Sequence, residues 1–171
     1  MSYLSPTLTL LVNAVKKATS SLDRDFSEIE KLQSSVRNYQ TFVTKKKKKV
    51  SQTLRNELMR IRPDAAFVEN NQPLGRGACF MVNPIDGIGN FIRGVPLFAT
   101  TVAYCENGEV KASVVYNRAS DELYFAEKGN GAYKEGFRNH ERLRVSATKE
   151  PAQALVSAQI GFQHGSAEYT A

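Results

Sequence analysis

The 171-residue sequence predicts an α+β fold, with two N-terminal helices packed on a largely antiparallel sheet. Three observations predict it. Apolar residues recur at helical spacing as far as Ile61. After Pro63 the pattern changes to short runs rich in Val, Thr, Tyr and Phe. Asn-Gly and similar turn signals separate those runs at hairpin distances.

The first helix starts at Ser5-Pro6, where Ser5 can cap and Pro6 suits the first helical position. Leu8, Leu11, Val12, Val15, Ala18 and Leu22 then form one stripe down to about Phe26. Ser27 to Gln40 reads as a polar connector. Thr44 can cap a second helix from about Lys45 to Ile61, in which Val50, Leu54, Leu58 and Ile61 share a face. That start sets the lysines in its first turn and a half, where the helix dipole disfavours cations. Pro63 ends the helix. Ala65 to Glu69 is a short extended segment and Asn70 to Gly77 a loop. Cys79 to Val82, Phe98 to Cys105, Val110 to Tyr116 and Glu122 to Ala126 read as strands. The last three form an antiparallel meander through turns at Asn107-Gly108 and Asn117 to Asp121. Leu143 to Val145 and Ala154 to Ala158 are expected as short closing strands.

Hydrophobic content of 42% and charged content of 23% are those of an ordinary soluble domain. No window of eighteen consecutive apolar residues exists, so no membrane partner is expected. The N-terminus lacks the pattern of a secretory signal, and Cys79 and Cys105 lie in apolar strand segments as buried thiols. Together these predict a cytoplasmic protein. The net charge of +6 arises from one run, Lys45 to Lys49, without which the chain is nearly neutral. The basicity is local. Its readings are a solvated helix start, an anion site, or a contact for RNA or another acidic partner.

Chemistry concentrates in Asn83-Pro84-Ile85-Asp86-Gly87-Ile88-Gly89-Asn90-Phe91. An apolar strand leads in, Pro84 interrupts its ladder, and Gly87 and Gly89 allow a tight turn. Side chains released there can hold a cation, and the turn N–H groups can cradle an anion. The run continues through Pro96-Leu97-Phe98, Val114-Val115-Tyr116-Asn117, Asp121-Glu122-Leu123, Glu127-Lys128-Gly129-Asn130-Gly131-Ala132 and Leu143-Arg144-Val145-Ser146. With these segments in this order, the chain resembles the inositol monophosphatase family, and within it the bacterial extragenic suppressor (SuhB-type) branch. The family motif is Asp-Pro-(Ile/Leu)-Asp-Gly-Thr-Thr-Asn-Phe.

The resemblance implies the N-terminal part of an αβαβα sugar-phosphatase sandwich. It also implies Mg2+-dependent hydrolysis of inositol-1-phosphate and related phosphate monoesters. It assigns site residues one by one. Asp86 matches the second motif Asp, a metal and substrate ligand. Asn83 stands at the first motif Asp, the Ile85 carbonyl at a backbone metal ligand, and Asn70 at a metal-binding Glu, with Glu69 one residue out of register. Gly87 and Ile88 match the Gly-Thr pair that gives phosphate N–H groups and a catalytic hydroxyl; Ile88 keeps the N–H and lacks the hydroxyl. Lys47 occupies the place of a further Asp, in Val43-Thr44-Lys45-Lys46-Lys47. The expectation is weak magnesium binding and little turnover. The alternative is a pseudoenzyme or regulatory binding module with an RNA or transcription-complex partner, as SuhB-type proteins have. A homodimer is expected, as in other family members. Residues 1–160 read as the family's N-terminal domain, and 161–171 as the start of a truncated or absent C-terminal domain that carries the remaining ligands.

Overall fold

The computed structural model describes residues 4–32, 36–69, 76–136 and 139–156. Asn70, residues 157–158 of the last expected strand, and residues 161–171 fall outside them.

Helices cover one face of a single seven-stranded sheet. Helix α1 (Pro6–Ala18) begins as the cap chemistry dictates: the Ser5 hydroxyl accepts the Leu8 N–H at 3.1 Å, and Pro6 opens the helix. The stripe does not continue as one helix. Thr19, Ser20 and Ser21 follow, and the buried Thr19 hydroxyl donates to the Val15 carbonyl at 2.8 Å. Hydroxyl groups in series compete with the helical ladder, so the chain turns and restarts as α2 (Leu22–Leu32). Leu22 and Ile29 stay fully buried across the break.

The expected polar connector is helical on both sides of residues 33–35. Helix α3 runs Val36–Ile61, so Thr44 lies in its interior and the lysine run at mid-helix. Val43, seven residues before Val50, extends the buried stripe of Val50, Leu54 and Leu58 upstream by two turns. That burial carries the helix past the cap signal.

The sheet has strand order β1-β2-β3-β4-β5-β6-β7, with β1 (Ala66–Glu69) parallel to β2 (Ala78–Asp86). All other pairs are antiparallel: β3 (Ala99–Glu106), β4 (Glu109–Asn117), β5 (Glu122–Glu127), β6 (Gly131–Lys134) and β7 (Glu141–Arg142). The expected meander is β3 to β5, and β2 extends it. Asn107 (φ 53°) and Gly108 (φ 79°) form its first turn with two successive left-handed residues, as the Asn-Gly pair requires. The closing strand is Glu141–Arg142 and not Leu143 to Val145. The Leu143 N–H still donates to the Ala132 carbonyl of β6 at 2.8 Å, but Leu143 and Val145 are exposed, and no burial holds the segment on the sheet beyond that bond. Ala154 to Val156 are exposed and not in a strand.

Phe80, Val82, Val102, Tyr104, Val114, Tyr116, Leu123 and Phe125 face the helices and form the core with the α1 and α3 stripes. The alternate residues Met81, Asn83, Thr101, Ala103, Ser113 and Val115 line a shallow depression of about 240 Å3 on the other face. Among the described residues no helix is long and apolar enough to cross a membrane.

Candidate functional site

The expected motif spans the end of β2 and the short helix α4 (Ile88–Ile92). Pro84 does not end the strand. Asn83 pairs with Thr101 and Asp86 with Ala99, so β2 carries one residue more than β3 between these pairs and bulges. Buried Thr100 holds the bulge by donating its hydroxyl to the Pro84 carbonyl at 2.7 Å. Ile85 is buried beside it.

The bulge brings two predicted ligands together. Asn83 Nδ2 donates to Asp86 Oδ1 at 3.1 Å, and the Asp86 carboxylate is exposed. Gly87 caps α4 in a left-handed conformation (φ 71°, ψ 36°), and a Cβ there would stand 2.8 Å from the Leu97 carbonyl oxygen. Glycine is therefore required twice at this position. The Ile88 N–H opens α4, ahead of the Asn90 and Phe91 amides that bond to the Gly87 carbonyl at 2.9 and 3.0 Å. Asp86, Gly87, Asn90, Leu97, Phe98, Ala99 and Asn117 line a depression of about 250 Å3.

Two residues not assigned from the sequence hold its wall. Asn90 Nδ2 donates to the Leu97 carbonyl at 2.8 Å, and Asn117 Nδ2 to the Pro96 carbonyl at 3.0 Å. Their signal was present: both are amides beside turns, inside the segments quoted for the family. Beneath α4, Phe91 packs on Phe98 and Phe26 with ring centroids 4.8 and 5.8 Å apart, anchoring the segment to α2.

The other predicted residues lie elsewhere. Glu69 pairs in register with Val82, so it faces the helices, and it accepts a hydrogen bond from Ser51 of α3. Lys47 lies one turn before Ser51 on α3 and is half-buried; among the described residues no ion pair joins it to Asp86 or Glu69. Lys46, not Lys47, has the defined electrostatic role. Its ammonium lies 2.5 Å from the Oδ1 of Asp25, which is 1% exposed, and 4.6 Å from the centre of the Phe42 ring.

These donors do not fit a pair of magnesium ions. Hard cations need several charged oxygens. Here one exposed carboxylate receives an amide donor where a metal would be shared, and Glu69 is committed on the opposite face. No group of three His, Cys, Asp or Glu side chains converges among the described residues.

The model of the inositol monophosphatase family matches residues 3–170. The inositol-1-monophosphatase of Rhizobium meliloti is 40% identical over 156 residues, covering 89% of this chain and 57% of that protein. Nus factor SuhB of Vibrio cholerae is 25% identical over 92% of this chain and 59% of its own length. The crystal structure of the extragenic suppressor protein suhB from Bartonella henselae superposes with a TM-score of 0.69 at 33% identity, over 84% of this chain and 56% of that one. The chain thus spans little more than half the length of the curated relatives it matches. The family's cofactor is Mg2+. With the motif's strand, bulge and glycine cap in place and the match running nearly end to end, this chain belongs to the inositol monophosphatase family.

Proposed function

We propose that the chain is a degenerate phosphate monoester hydrolase, binding Mg2+ weakly or not at all and turning over inositol-1-phosphate or related monoesters little or not at all. The carrying observation is the Asn83 amide donating to Asp86. An Asp at position 83 would have to share a cation with Asp86 or repel it, whereas Asn satisfies the pair without metal. Asp86 is then the remaining site carboxylate. Gly87 and Ile88 keep the N–H cradle for a phosphate, and Asn83, Asn70 and the Ile85 carbonyl are what is left of the metal shell, with Glu69 turned to Ser51 instead. Lys47 adds a positive charge in place of a carboxylate. At a partly desolvated site this disfavours a nearby dication by on the order of a few kcal/mol.

Calorimetric Mg2+ titration and inositol-1-phosphate hydrolysis test the proposal on the wild-type chain and on a Lys47→Asp, Asn70→Glu, Asn83→Asp variant. The wild type is expected to show no sub-millimolar affinity and no metal-dependent turnover, and the variant to gain Mg2+ affinity. Sub-millimolar binding with turnover in the wild type refutes the proposal.

A second reading, a cytoplasmic, homodimeric binding module for RNA or a transcription complex, is favoured by exposed Lys45, Lys48 and Lys49 on α3 and by the likeness to Nus factor SuhB. It expects RNA binding that weakens steeply with salt and falls on Lys→Gln substitution at these three positions. Binding indifferent to both counts against it.

A further inference from the structure

Cys79 and Cys105 stand directly opposite each other on β2 and β3. Both are free thiols, 6% and 0% exposed. Opposed residues on antiparallel strands hold their Cα atoms about 4.5–5.5 Å apart. A disulfide spans roughly 4.4–6.8 Å, so bridging them requires no strand movement. Alternation sets both on the sheet face away from Phe80, Tyr104 and the helices.

We infer that Cys79 and Cys105 are a dithiol pair that a small-molecule disulfide converts, reversibly, to an intrachain cross-strand disulfide. Cys79, the more exposed thiol, loses its proton and its sulfur attacks one sulfur of the small disulfide. That S–S bond breaks, one thiolate leaves, and a mixed disulfide remains on Cys79. Cys105 then loses its proton, its sulfur attacks the Cys79 sulfur, and the second thiolate leaves. Two cysteine thiols are oxidised, one small disulfide is reduced to two thiols, and the leaving thiolates take up the two protons. Burial, and then the adjacent Cys79, push the Cys105 thiol of the dithiol form up to about 11, so Cys79 is the thiol that attacks first. The whole Asn83–Phe91 segment lies between the two cysteines, so the bridge encloses the candidate site in a covalent ring.

The test treats the folded 171-residue chain with glutathione disulfide and follows intact mass and free thiols. The expected product has lost two hydrogens and both thiols, remains a single chain without added glutathione, and regains both thiols with dithiothreitol. Its rate of formation rises with pH. Cys105→Ser stops at a glutathione adduct on Cys79, and Cys79→Ser stays unmodified. The inference is overturned if the folded chain keeps both thiols under conditions that oxidise the urea-unfolded chain. A disulfide-linked dimer, or a wild-type product that retains glutathione, overturns it equally.

Discussion

Gly87 shows how much of the site depends on one residue's lack of a side chain. It ends the bulged strand, starts α4, and lets the Leu97 carbonyl pass where a Cβ would stand. Gly87→Ala therefore meets two penalties, a left-handed backbone and a clash with backbone that Asn90 pins in place. It is expected to cost about 2–3 kcal/mol in urea unfolding. Gly108→Ala is the control, because Gly108 has a similar φ of 79° with open space around it, and should cost about 1 kcal/mol. The need for glycine at position 87 was legible in the sequence as a turn after a strand. The Asn83–Asp86 contact was not, because it exists only where a bulge brings side chains three apart onto one side. A strict strand would have sent them to opposite faces.

At the level of elements, the lysine run divides. Lys46 points inward to a buried carboxylate, while Lys45, Lys48 and Lys49 are exposed. Removing the partner of a buried charge ordinarily costs about 3–5 kcal/mol. Lys46 is one-fifth exposed and Ser21 still donates to Asp25 at 2.9 Å, so Lys46→Ala is expected to lose about 2–3 kcal/mol. Lys48→Ala should stay within about 0.5 kcal/mol. Thermal or urea unfolding of the two variants, with Asp25→Asn added to recover part of the Lys46 loss, checks this. The run reads in sequence as one charged block because neither burial nor the α2 neighbour is encoded in its spacing. Helix α3 was legible where Val50, Leu54 and Leu58 repeat. Its upstream half was hidden because Thr44 carries an N-cap signal that burial of Val43 overrides.

Across the whole molecule, the layer arrangement followed from periodicity alone: a helical period before Pro63 and strands after it. What the period could not supply was what covers each segment. Pairing with β6 stops after the Leu143–Ala132 bond although β6 continues to Gly131, because Leu143 and Val145 stay exposed and gain no burial from the sheet. The same dependence on distant partners governs α1. Its cap residue Ser5 also donates to Glu127 at 2.6 Å, 122 residues away, and α1 packs against β4 and β5. During synthesis at about 5–20 residues per second, the helix leaves the ribosome on the order of ten seconds before that partner exists. Helix α1 is thus seated in stages: α3 can cover part of its apolar stripe first, and the rest must be shielded, by other nascent segments or by chaperones, until β4 and β5 arrive.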